Sequence, residues 1–141
     1  VISKKRGDAM TATTAVAQRF YRALAEGDGN SLFDLLATDF VGIVSQGMPN
    51  GVGGRHHGRV AMIADVWGHI DAVYDLDVEP TEFLPIGEPD DKVVVLGSYR
   101  GSTRDGKTAV DAAFAHVITV RNGQITALQQ ITDTARWDIP A

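Results

Sequence analysis

The sequence contains no cysteine. That removes a disulfide framework, a thiol nucleophile and any thiolate metal site from consideration. It suits a reducing compartment, and the expected location is the cytoplasm. Positive charge is also scarce: 13 Lys and Arg stand against 18 Asp and Glu, for a net charge of −5. A nucleic-acid partner would call for a basic stripe, and none is visible, so no nucleic acid is expected. No apolar run reaches the roughly 18 residues of a membrane helix and no signal-peptide core opens the chain, so no membrane partner is expected either. Histidine is limited to His56, His57, His69 and His116. His56 and His57 are adjacent and point oppositely in extended chain, and no pair has His-x-x-x-His spacing, so neither a metal nor another cofactor is expected. Gly-Val-Gly-Gly at 51–54 shares only its composition with a phosphate loop, lacking the lysine and the strand–loop–helix setting.

What remains is an ordinary globular composition. With 141 residues, 44% hydrophobic and 22% charged, the chain is long enough for one domain that builds a core and still lines a cavity. The opening VISKKRGDA carries Lys4, Lys5 and Arg6 and differs in character from the rest of the chain. Residues 1–9 are expected to be a disordered leader or a start-site artefact, and residues 10–141 a single domain.

The strongest local signal lies between residues 92 and 132. Three runs rich in β-branched and aromatic residues, KVVVLGSYRGST, TAVDAAFAHVITV and QITALQQIT, are separated by Arg104-Asp105-Gly106-Lys107 and Arg121-Asn122-Gly123. Asp-Gly and Asn-Gly supply the positive φ angles of primed hairpin turns, so this stretch predicts a three-strand antiparallel meander. Ahead of it, residues 11–26 read as a helix with Val16, Ala17, Phe20, Tyr21 and Leu24 on one face, a threonine cap, and Gly27 as a left-handed stop. A short helix at 31–36 and a strand at 40–44 come next. Residues 46–58 read as a glycine-rich loop, and 59–73 as a third helix with Val60, Ile63, Trp67 and Ile70 buried. Residues 74–84 are extended. Helices first and antiparallel strands last argue for an α+β fold with helices on one face of the sheet.

The stretches AVAQRFYRALAEGDGNSLFDLLATDF, GRHHGRVAMIADVWGHI and FAHVITVRNGQITALQQITDTARW resemble the nuclear transport factor 2-like proteins, the last of them the SnoaL-like branch that includes polyketide cyclases. The resemblance spans residues 15–137. It implies a cone-shaped curved antiparallel sheet wrapped around three N-terminal helices, with a deep apolar pocket and frequent dimers through the outer sheet face. Three activities of the superfamily give positions to compare. The isomerase phenol on the first helix matches Phe20, beside Tyr21. The isomerase carboxylate falls near Val44. The epoxide hydrolase relay falls near Gly97, Tyr99 and Gln130, and the cyclase acid near Gln130. The carboxylates of those activities are largely missing here.

Strand alternation puts Val110, Ala112, Phe114, His116 and Ile118 on one face, joined by Val93, Val95, Gly97 and Tyr99 and by Leu128 and Gln130. The resemblance makes that face the pocket wall, so Tyr99, His116 and Gln130 are the polar groups expected in an apolar cup. An imidazole both accepts and delivers protons near neutrality. His116 is the expected acid/base, with Tyr99 and Gln130 polarising a carbonyl. A buried neutral histidine bonded to Tyr99 or Gln130 is the competing reading. Phe20, Tyr21, Val44, His57, Trp67, Phe114, Leu128 and Asp133 are the expected substrate contacts. Asp133 has a second reading as a cap for the tail. Two functions stand side by side. One is a cofactor-free cyclase or isomerase acting on a hydrophobic, polyketide-like or polycyclic molecule. The other is a non-catalytic ligand-binding or dimeric scaffold module.

Overall fold

A computed structural model describes residues 11–86 and 91–137. The expected leader at 1–9 and the end of the tail lie outside the described residues. Helix α1 (Ala12–Glu26) is capped by Thr11, whose side chain accepts from the Thr14 amide, and ends at Gly27 with φ 64° and ψ 30°. That left-handed conformation is the one glycine adopts without a Cβ penalty. Helix α2 (Gly29–Leu35) begins directly after it on an Asp28 cap, with Oδ1 accepting from the Ser31 amide at 3.1 Å. Strand β1 (Leu36–Val44) continues from its end, longer than the sequence predicts.

The glycine-rich segment is not all loop. Its second half folds back as β2 (Gly54–His57), antiparallel to β1 with Val41 opposite His57. A strand this short, set among glycines, carries no readable alternation. Helix α3, residues 59–73, is one continuous rod with a π segment at Met62–Trp67 between α-helical ends. The Gly68 amide reaches back five residues to the Ile63 carbonyl. Met62 and Val66 both face inward, with Ile63, Trp67 and Ile70 packed beside them. Val60, expected on the buried face, sits in the first turn ahead of that stripe and is 64% exposed.

Strands β3 (Tyr74–Ile86), β4 (Lys92–Thr103), β5 (Ala109–Arg121) and β6 (Gln124–Thr132) complete a six-strand sheet ordered β2-β1-β6-β5-β4-β3. The meander β4–β5–β6 is antiparallel throughout. One pair departs from the antiparallel rule: β1 runs parallel to β6, because the chain between them crosses the whole sheet before returning. The β5–β6 turn is the primed type, with Asn122 at φ 53° and Gly123 at φ 77°. The β4–β5 turn is not. Only Gly106 has positive φ there, and Thr103 closes a wider loop by accepting from the Gly106 amide while its own amide donates to Thr108.

The three helices cover one face of the curved sheet, and the core lies between them. Small residues sit opposite large ones on the inner face. Tyr99 pairs with Ala112 and Phe114 pairs with Gly97. A Cβ on Gly97 would lie 2.6 Å from the Phe114 ring, so the missing side chain is what lets that ring lie across the strand. The described chain closes with a short 3-10 turn, Thr134–Trp137, which buries Trp137 against Tyr74 and Tyr99. Among the described residues, no helix is long and apolar enough to cross a membrane.

Candidate functional site

Between helices and sheet lies a cavity of about 310 Å³. Its exposed lining residues, Gly27, Gly29, Gly68 and Asp71, mark a mouth between the α1–α2 break and α3. The walls are apolar, with Phe20, Val44, Trp67 and Leu128 among them. Tyr99, His116 and Gln130 also line it. The β5 alternation therefore turns the imidazole inward: His116 lies opposite Val95 on β4 and Gln130 on β6.

These polar groups form one connected network. The Tyr99 hydroxyl lies 2.6 Å from His116 Nε2. On the other side of the ring, the Tyr21 hydroxyl lies 2.7 Å from Nδ1. Gln130 Nε2 donates to the Tyr99 oxygen at 3.0 Å. The orientation of the Gln130 amide is fixed from the end of β1, where the Ser45 backbone N–H donates to Oε1 at 3.3 Å. Ser45 also donates through Oγ to the Gln130 carbonyl and accepts from the Thr132 amide, so it ties β1 to β6. Phe114 stacks on the imidazole at 4.0 Å between ring centroids.

Burial sets the charge states. It pushes His116 down to about 3 from the ordinary 6.5, so the ring is neutral at pH 7. It also holds the Tyr21 phenol well above its ordinary value, with Tyr99 beside it adding to the effect. Tyr99 is raised for the same reason, offset in part by the Gln130 hydrogen bond. All three groups are thus neutral. A neutral imidazole has one N–H and one bare nitrogen, so one phenol donates to it and the other accepts from it.

The other expected contacts fall elsewhere. Tyr21 sits behind the imidazole and is not part of the cavity wall, and Phe114 is likewise behind it. His57 is exposed on β2, and Asp133 is exposed and paired with Arg136 at 3.9 Å; neither lines the cavity. The reason is topological: β2 lies at the far edge of the sheet, and Asp133 opens the terminal turn. Met48, Met62 and Trp137 line the cavity although the sequence does not single them out as contacts. Their signal is faint, since each sits in a segment of irregular or widened backbone. Asp71 supplies the one carboxylate among the described lining residues, at the mouth, held by Arg104 at 2.9 Å. Among the described residues, no Lys or Arg lines the cavity, and no three His, Cys, Asp or Glu side chains converge as a metal site would need.

Helices laid across a curved sheet around an apolar hollow define an α+β pocket fold of the nuclear transport factor 2-like, or cystatin-like, kind. The SnoaL-like domain model matches residues 17–128, and the chain belongs to that family. No curated protein matches it in sequence. Among solved structures it is similar to a nuclear transport factor 2-like protein of unknown function from Burkholderia pseudomallei, with 28% identity and a TM-score of 0.79 over 89% of this chain and 94% of that one. It is similar also to TerC, crystallised with polyporic acid, at 25% identity and a TM-score of 0.78 over 89% and 94%. A proposed polyketide cyclase from Sinorhizobium meliloti shares the fold at 23% identity and a TM-score of 0.64 over 83% and 94%.

Proposed function

We propose that this protein binds a neutral, largely apolar carbonyl compound and assists its cyclisation without a cofactor. The observation that carries the reading is the one-sidedness of the deep polar end. Both nitrogens of His116 are engaged by phenols, Gln130 Oε1 is taken by the Ser45 amide, and the Tyr99 oxygen accepts from Gln130. What the side chains still offer a ligand is chiefly donors, the Tyr99 O–H and the second N–H of Gln130, beside one remaining lone pair on Gln130 Oε1. Two donors on neighbouring atoms complement the two lone pairs of a carbonyl oxygen, and they favour it most as negative charge builds there. With no cation in the described lining, a neutral ligand fits better than a carboxylate.

His116 is less suited to the acid/base part. Its neutral ring is hydrogen-bonded at both nitrogens, and its basicity is depressed. That favours a reaction in which the substrate brings its own nucleophile. In a folded poly-carbonyl chain, an enol carbon attacks a carbonyl carbon, the new C–C bond forms, and the enol proton ends on the former carbonyl oxygen. The protein's part is to fold the chain, exclude water and hold that oxygen against Tyr99 and Gln130. That TerC, at 25% identity, was co-crystallised with polyporic acid supports the small-molecule part of the reading. A second reading, ligand retention without turnover, is favoured by the same lack of a deep base.

The test compares acetonaphthone with its secondary alcohol, read by quenching of Trp67 and Trp137 fluorescence. The alcohol carries a hydroxyl hydrogen that finds at most the second lone pair of Gln130 Oε1, already turned toward the Ser45 amide, so the ketone should bind roughly tenfold tighter. Equal affinities would remove the carbonyl reading. A linear triketone followed by chromatography then separates cyclisation from retention. A second copy of the chain is the proposed partner for the outer face, where Val94, Leu96, Ala115, Val117 and Ile131 form a partly exposed apolar band. Concentration-dependent sedimentation tests it. The absence of cysteine suits a cytoplasmic setting for this role.

A further inference from the structure

We infer that Tyr21, which does not touch the cavity, is the positioning residue that aims the Tyr99 hydroxyl into it. The inference rests on the reading of Tyr99 as the ligand's donor, but its first test needs no ligand. Two phenols and one neutral imidazole carry three hydrogens between them and make two hydrogen bonds, so one hydrogen is left over. There are two arrangements. In the first, Tyr21 donates to Nδ1, the Nε2–H donates to the Tyr99 oxygen, and the spare O–H belongs to Tyr99. In the second, Tyr99 donates to Nε2, the Nδ1–H donates to Tyr21, and the spare O–H belongs to Tyr21.

The surroundings of the two phenols are not alike. Tyr99 borders the cavity, where its spare hydrogen meets a ligand or water. Tyr21 is buried outside the lining, packed by the rings of Phe20, Phe83, Phe114 and His116, and its only hydrogen-bond partner among the described residues is His116. A spare hydrogen on Tyr21 would be a buried donor with no acceptor, which disfavours the second arrangement by a factor of roughly ten or more. The first arrangement is therefore the resting one. His116 is the Nε2–H tautomer, and Tyr99 accepts from both His116 and Gln130 while donating into the cavity. The chain of bonds ends at Tyr21, with no described group behind it to resupply a proton, so the network orients the Tyr99 hydrogen and does not deliver it.

Removing the Tyr21 hydroxyl removes the bias. In Tyr21→Phe, Nδ1 has no partner in either arrangement, both tautomers become populated, and the Tyr99 hydroxyl divides its time between Nε2 and the cavity. The experiment labels histidine with ¹⁵N and reads the two ring nitrogens by long-range proton–nitrogen correlation in the ligand-free protein at pH 7. The wild type should show a protonated Nε2 and a bare Nδ1. Tyr21→Phe should move both nitrogens toward averaged positions and weaken acetonaphthone binding about threefold to tenfold. An Nδ1–H tautomer in the wild type overturns the inference, and that measurement needs no variant to fold. An unchanged tautomer with unchanged binding in Tyr21→Phe overturns it as well. Tyr99→Phe separates the two claims. If it binds acetonaphthone as the wild type does while the wild-type tautomer is Nε2–H, the carbonyl reading fails and the orienting role of Tyr21 stands.

Discussion

The two ends of the cavity use polar groups in opposite ways. At the deep end, His116, Tyr99 and Tyr21 are buried and each depends on the next for its hydrogen bonds. At the mouth, Asp71 and Arg104 form a pair of comparable length, but their side chains are 81% and 47% exposed. Water replaces a lost partner at the mouth and cannot do so at Tyr21, which is buried outside the cavity lining. Similar distances therefore carry different energies, and burial decides which contacts matter.

The sharpest way to break this comparison is His116→Leu. It deletes the partner of the buried Tyr21 phenol and one of the two partners of Tyr99, and should cost about 3–5 kcal/mol of unfolding free energy, measured by urea denaturation. A loss below about 1 kcal/mol would mean that the deep network is not structural. A second effect comes from pH. The folded-state pKa of His116 is depressed to about 3 against 6.5 unfolded, so the neutral ring stabilises the fold fully above pH 6.5. As pH falls from 6.5 toward 3, the unfolded chain takes up a proton that the folded one refuses, and stability drops by up to about 1.4 kcal/mol per pH unit. Urea titrations at about pH 7 and about pH 5 should show the drop in wild type, and His116→Leu should lack that component.

Tyr99→Phe comes next. It strips the acceptor from the Gln130 N–H and from the imidazole, for about 1–3 kcal/mol, and it should erase the ketone-over-alcohol preference. A retained preference would move the ligand's anchor to Gln130. The smallest effect belongs to the mouth. Asp71→Asn should change stability by less than about 1 kcal/mol, and by less still in high salt. A larger loss would mean that the mouth pair is tighter in solution than its exposure implies.

Much of the deep end is readable from strand alternation. The period of two along β5 puts Phe114 and His116 on the face opposite Asp111 and Ala113, and the same counting places Tyr99 and Gln130 beside them. The Asn122-Gly123 turn is set by its own chemistry. The Asp105-Gly106 turn is not, because Thr103 binds Asp105 Oδ1 at 2.7 Å and stabilises a wider loop that a dipeptide does not reveal. Val60 falls off the buried stripe because counting at 3.6 residues per turn does not allow for a π segment. Tyr21 neighbours Phe20 in sequence, yet adjacent helical residues point about a quarter-turn apart. One lines the cavity and the other backs the imidazole.

By itself the sequence determined the α+β class, the meander, the helix stop at Gly27 and which residues of β5 share a face, because alternation, turn dihedrals and capping are local consequences of residue type. Only the tertiary structure decided what His116 touches. Its Nδ1 partner comes from a helix 95 residues earlier, and its Nε2 partner from the neighbouring strand. Whether a buried ring is an acid, a base or a brace depends on which groups packing brings to its two nitrogens, and no local pattern encodes that.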